Sequence, residues 1–152
     1  QSEMLPSLHR LFLDREHLFA LRVGRVFVAE QVQEAVGEWE GVTVVDEAAV
    51  AEALGDSRAR KLSRREAREI ALGLGAGRYI RQNIGATPDF IRLSLAFYDA
   101  PTDSLLIERA VKLPRDLRAA DDSIRAIARH VLLRGGFARM QGRAITTSLP
   151  AM

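Results

Sequence analysis

The 152-residue chain contains no cysteine. That excludes disulfide cross-links, thiolate metal centres and thiol nucleophiles. It leaves the compartment open, because a domain of this size can fold without disulfides. No run of about 18 uncharged apolar residues occurs, so no helical membrane span is encoded. No basic-then-apolar leader opens the chain, and its first residue is Gln1, which points to a processed chain or a piece of a longer one. Lysine is scarce: of 22 basic residues only Lys61 and Lys112 are lysines. Arginine in such excess supports solubility before it implies a site. The three histidines, His9, His17 and His130, stand far apart. None has a second histidine or a carboxylate at the usual zinc spacing, so no metal or other cofactor is expected. His130 falls near the end of a helix-like run, where a protonated imidazole would suit the helix dipole.

Familiar catalytic signatures are missing as well. There is no Gly-x-Ser-x-Gly elbow and no Walker A lysine pattern. Gly73-Leu-Gly75-Ala-Gly77 follows a helix-like run and precedes a strand-like one, the reverse of a dinucleotide fingerprint. Its expected work is helix termination, where glycine tolerates positive φ. The carboxylate pairs Glu66/Glu69 and Asp121/Asp122 read as helix starts and solvated faces. No residue set declares a reaction, and a non-enzymatic domain is expected.

What the sequence does contain is an architecture. Hydrophobic residues make up 47% and charged residues 28%, values of a globular chain that buries one core. Three strand-like runs stand in series: Tyr79–Ile84, Phe90–Tyr98 and Leu105–Lys112. A helix-like run, Leu117–Leu133, closes them. In the central run Ile91, Leu93, Leu95 and Phe97 share one parity, while Arg92, Ser94 and Ala96 share the other. Period two places the first set on a buried sheet face and the second nearer water. Gly85–Asp89 and Asp99–Ser104 supply the two turns.

Upstream, Glu16–Trp39 turns helical, with Leu18, Leu21, Val28, Val32 and Val36 on one stripe. Val42–Val45 is a continuous β-branched run that fits a strand buried on both faces. Asp46 is placed to cap a helix over Glu47–Leu54. Ser63 and Glu66 form a capping box for the next helix, which runs to about Leu74. A short strand is expected near Glu3–Leu5, with Leu8, Leu11, Phe12 and Leu13 as packing. The whole reads as α/β: a single mixed sheet with a C-terminal three-stranded antiparallel meander and helices packed on it. Residues 1–136 form the expected domain, and residues 137–152 an arm or linker.

Charge is unevenly spread. Eight acidic and no basic residues lie between Val26 and Asp56, whereas nine bases oppose three acids between Ser57 and Arg92. Such asymmetry marks either a partner surface or two elements that neutralise each other. The candidate contact residues are Arg58, Arg60, Arg64, Arg78, Arg81, Arg92 and Tyr98.

Two passages carry a family resemblance. Glu66–Ile80 resembles the "helix, Leu-Gly, then Arg-Tyr-Val" stretch of TolB amino-terminal-like domains, and Phe97-Tyr-Asp-Ala-Pro-Thr102 is similar to that family's "Leu-Ile-Asp-Ala-x-Thr-Gly" turn. Asp122–Val131 falls on its "Asp-Glu-Ile-Ala" helix. Asp103 stands where the family turn has glycine, and Gln82-Asn83 where it has Glu-Gly. The resemblance implies an α/β domain related to curli- and flagellum-associated outer-membrane assembly proteins, and also appended to bacterial kinases, adenylate cyclases and tetratricopeptide proteins. It implies interaction or regulation without catalysis, and favours a periplasmic or extracytoplasmic setting over a cytoplasmic one.

The leading expectation is therefore a non-catalytic interaction or sensory module of a bacterial envelope or signalling protein. Its partner is a protein or the rest of a multidomain chain, with a homo-oligomer also open. The rival is a single-stranded nucleic-acid binder using Arg78, Arg81, Arg92 and Tyr98. A small hydrolase is the third reading, and it requires a convergent polar pocket.

Overall fold

The computed structural model describes residues 6–14, 23–39, 41–55, 62–114 and 116–136. One five-stranded sheet has the spatial order β2-β1-β3-β4-β5. Its strands are β1 (Ser7–Asp14), β2 (Thr43–Val44), β3 (Ala76–Ala86), β4 (Ile91–Asp99) and β5 (Ser104–Leu113). The helices are α1 (Val23–Gly37), α2 (Glu47–Leu54), α3 (Arg64–Gly73) and α4 (Asp121–Arg134), the last preceded by a 3-10 turn at Leu117–Ala120.

β1 pairs in parallel with both β2 and β3. The β3–β4 and β4–β5 pairs are antiparallel and form the meander. The expected fold class is thus the observed one. Parallel neighbours need a crossover, and α1 supplies it between β1 and β2.

Parity in β4 decides which helices cover it. Leu93, Leu95 and Phe97 are fully buried, and Ile91 packs at their margin. Their layer includes Leu11, Leu13, Ile80 and Ile84 from the sheet and Val32, Val36, Ile124, Ile127, Val131 and Leu132 from α1 and α4. The other parity splits. Arg92 is exposed and Ser94 half-buried, as the alternation predicts, but Ala96 and Tyr98 are buried in a second layer under α2 and α3. That layer holds Phe12, Val45, Val50, Leu54, Leu62, Ala67, Ala71 and Tyr79. Helices on both faces, rather than one, account for the difference.

Local capping follows the sequence closely. Backbone N–H groups of Ala48 and Ala49 donate to Asp46 Oδ2 at 3.2 and 3.4 Å. Glu66 N donates to Ser63 Oγ at 3.1 Å, and Ser63 N donates back to Glu66 Oε1 at 2.9 Å. Each bond satisfies an N–H that the first helical turn leaves over. α3 buries the small residues Ala67 and Ala71, while Ile70 and Leu74 are only half-buried.

The glycine run ends α3 and lets β3 start. Gly75 has φ 76°, a left-handed conformation that favours glycine. A Cβ on Gly77 would lie 2.6 Å from the carbonyl oxygen of Ser7, so glycine lets β1 and β3 approach.

Two strand expectations need correction. The first strand is Ser7–Asp14, with Leu11, Phe12 and Leu13 buried between two partners. The expected strand at Glu3–Leu5 lies outside the described residues, as do Leu18 and Leu21. Val42–Val45 was expected to be buried on both faces, yet β2 is a two-residue edge strand with Thr43 exposed. Its valines still divide between layers: Val44 packs on the α1/α4 side and Val45 joins the α2/α3 side. The expected arm or linker at 137–152 also lies outside the described residues.

Candidate functional site

α3 is built to present arginine. Its capping box starts the helix at Arg64, and its alanines allow close approach to the sheet. Arg64 stands 4.5 Å above the Tyr98 ring and donates from Nη2 to the carbonyl of Asp103 at 2.7 Å. Arg68 donates to the carbonyls of Ala100 and Pro101 at 2.7 and 3.2 Å. Both side chains therefore clamp the β4–β5 turn. Arg65 points away, with 88% of its side chain exposed, and reaches only Glu69 at 3.4 Å.

Asp103, in that turn, has φ 58°. It fills the position where the resembling family has glycine. Aspartate is one of the few residues that tolerate this conformation. Asp99 starts the same turn and accepts from Thr102 Oγ1, from Thr102 N at 3.1 Å and from Arg78 Nε at 3.2 Å. Burial opposes its charge, but these three bonds prevail and hold its carboxyl below the usual range.

Beneath Arg64 the Tyr79 and Tyr98 rings stack, with centroids 4.9 Å apart and planes 13° from parallel. Tyr79 is wholly buried, and its hydroxyl lies in reach of the Arg64 guanidinium without a well-formed hydrogen bond among the described residues. Burial pushes that hydroxyl up, partly offset by Arg64 nearby.

The sequence-predicted residues do not share one surface. Arg64, Arg81, Arg92 and Tyr98 are on the α2/α3 side, whereas Arg78 is on the α1/α4 side. Arg78 lies over Phe97 at 5.8 Å and donates to Asp99 Oδ1 and to the Gly135 carbonyl. Arg81 donates to the buried Asp14 at 3.1 Å and to the Leu62 carbonyl at 2.6 Å. Tyr98 is 8% exposed. Arg92 stands openly in water, opposite Lys112 on β5 and Gly85 on β3. Arg58 and Arg60 lie outside the described residues. Arg65, which sequence reasoning passed over, is the most exposed arginine of α3; its position two beyond the capping serine was the available signal.

Among the described residues the ion pairs do not join the acidic block to the basic one. Glu34 of α1 and Glu38, just past its end, bind Arg125 of α4, which also donates to Gln31. Among the described residues the basic stretch finds its acids at Asp14, Asp99 and Asp103, and within itself at Glu69.

An open cleft of about 380 Å³ lies beside α3, lined by Ala53, Leu62, Glu66, Glu69, Ile70 and Gly73. Its two carboxylates are engaged, Glu66 in the cap and Glu69 with Arg65. Without a nucleophile beside a base, this cleft does not supply the convergent set that hydrolysis needs. His130 departs from its expected protonated role: burial first, then Arg109 and Arg134, push its imidazole pKa down. Among the described residues no group of three His, Asp or Glu could hold a metal, and no helix is long and apolar enough to cross a membrane.

No protein-family model matches the sequence, and no curated protein matches it. Solved structures do. The C-terminal domain of LpoB from Salmonella enterica superposes with a TM-score of 0.59 at 14% identity, covering 73% of this chain and 86% of that one. The Escherichia coli LpoB C-terminal domain gives 0.58 at 13%, covering 75% and 88%. TolB from Acinetobacter baumannii gives 0.54 at 15%, covering 88% of this chain and 29% of TolB. At these identities the likeness is one of fold, and the fold is LpoB-like and TolB-like.

Proposed function

We propose that this chain is an interaction or sensory module, without catalysis of its own, in a bacterial envelope or signalling protein. The observation that carries the reading is the shape shared with LpoB C-terminal domains and with TolB. It coincides with the resemblance of Glu66–Ile80 and Phe97–Thr102 to TolB amino-terminal-like domains, and we assign the chain to that kind of domain. An extracytoplasmic location follows from the same reading, with residues 1–136 as the module and 137–152 as an arm or linker. The partner is a protein or another part of a multidomain chain.

The contact surface in this reading is the outer side of α3 and the neighbouring open sheet, with Arg64, Arg65 and Arg92; Arg58 and Arg60 stay candidates from the sequence alone. Arg81 and Tyr98 support it from below. Arg78 belongs to the opposite face and serves the fold there. Exposed arginines that are not committed to the core keep donors free for carboxylates and backbone carbonyls of a partner. Nothing in the geometry favours the single-strand alternative, since the Tyr79 and Tyr98 rings are buried against each other.

The test is affinity purification from the producing bacterium with the native chain and with Arg65→Glu/Arg92→Glu, both shown by circular dichroism to be folded. The reading expects a specific co-purifying protein that the double reversal loses. Recovery of the same protein at equal yield from both would contradict it.

A further inference from the structure

β5 is the outer strand of the meander, and among the described residues its far edge has no strand partner. Ten residues is long for an edge, and seven of them are exposed. Edges of this kind template pairing unless something blunts them. Two features frame this one. The ladder with β4 slips between Phe97 and Tyr98, so that Leu106 is the extra residue of a bulge. At the other end comes Pro114, which has no N–H to give. Between them Ile107–Leu113 pairs regularly with Ile91–Phe97. The middle of that seven-residue window is Ala110.

Three charges around the window are unpaired. Arg92 and Lys112 stand directly opposite each other on β4 and β5, both exposed. Like charges in that position are unfavourable. Among the described residues neither has an acidic partner, and Lys112 contacts only the Phe90 ring, 4.9 Å from its centroid. Glu108, on the same face and exposed, is likewise without a basic partner.

We propose that the free edge of β5 pairs antiparallel with β5 of a second copy, about a two-fold axis at Ala110. An axis perpendicular to the sheet keeps the two faces in common, so residues facing each other must share parity. Within the framed window, centring on Ala110 uses all seven residues. The same register sets Glu108 against Lys112 of the second copy, twice by symmetry. Each copy thereby supplies the carboxylate that the Arg92/Lys112 pair lacks. On the other face Ile107 meets Leu113 of the second copy and extends the apolar layer under α4. Arg109 Nη1, which donates to the Glu108 carbonyl at 2.8 Å, makes way for the incoming strand. Centring on Glu108 or on Arg109 would instead oppose identical charges. This contact goes beyond the proposed heterologous partner and does not depend on it.

The absence of cysteine makes the register testable. Cα atoms facing each other across antiparallel strands lie about 4.5–5.5 Å apart, within disulfide reach. Ala110→Cys therefore cross-links to a dimer under mild oxidation, and Ser104→Cys, at the end of the strand, does not. By sedimentation, Lys112→Glu and Glu108→Lys each weaken self-association roughly tenfold, and the double swap restores it. A chain that stays monomeric up to about 100 μM, where an interface this small should still assemble, overturns the proposal. So does equal cross-linking of both cysteine variants, or a double swap that fails to recover association. Uptake of an unrelated extended peptide by β5 of a persistent monomer also overturns it.

Discussion

Replacing Gly135 by alanine should destabilise the protein although the backbone there accepts any residue. Gly135 ends α4 with φ −81°, so no left-handed strain is involved. The obstacle is Phe97: a Cβ on Gly135 would lie 2.0 Å from ring Cδ2 and 2.2 Å from Cε2. Carbon atoms need about 3.5–4 Å. Phe97 is fully buried, and the Arg78 guanidinium lies over its ring, so the ring cannot swing out to water. Overpacking of a core side chain costs about 1–3 kcal/mol, and an overlap this deep belongs near the top of that range. Reduced freedom of the unfolded chain returns about 0.4–1 kcal/mol. The net loss is about 2 kcal/mol, a fall in Tm of about 4–8 °C for a chain of this length. Gly73→Ala is the matched control. Its Cβ would meet nothing within 4 Å, so the entropy term stands alone and the variant gains about 0.4–1 kcal/mol. Urea unfolding followed by circular dichroism reads both signs. A Gly135→Ala variant as stable as the native chain would refute the packing of α4's end on β4.

Three further outcomes follow from the same geometry. Arg81→Ala should cost about 1.5–3 kcal/mol in urea melts, because it removes the charged donor that faces the buried carboxylate of Asp14; a cost below about 0.5 kcal/mol would show the pair to be solvated. His130 has its folded pKa lowered, so its contribution is present above the unfolded value near 6.5 and is lost as pH falls through the folded value. Stability should therefore decline from pH 8 to pH 5, and His130→Gln should flatten that limb; an unchanged profile would remove the burial of His130 and its Arg109 and Arg134 neighbours as the cause. Asp103→Gly should hold or raise stability, whereas Asp103→Val should lose about 1–2 kcal/mol, since φ 58° is open to glycine and costly for a branched side chain; equal melting of the two would contradict the turn conformation.

The meander was legible because its strands alternate over long runs and end in residues that turn. Leu93, Leu95 and Phe97 could be placed by parity alone, and the capping serine and aspartate announced α3 and α2. β1 was harder to see, because Leu11-Phe12-Leu13 is a continuous apolar run, buried on both faces, with no alternation to read. β2 misled in the opposite direction: its valines suggest a central strand, yet only two residues pair, at an edge. The candidate surface was legible as composition but not as position. Arg78 and Arg81 sit three apart in one strand, which sends them to opposite faces, and each meets an acid from a distant part of the chain, Asp99 or Asp14. Spacing along the sequence carries no record of such long-range ion pairs.

Photo-crosslinking in living cells tests the interaction reading most directly, with the probe placed in turn at Arg65 and Arg92 on the α3 side and at Ala126, an exposed residue of α4. Adducts with one different protein from positions 65 and 92, and none from 126, are the predicted result. Adducts from position 126 alone, or from none of the three, would contradict an interaction module that works through this face.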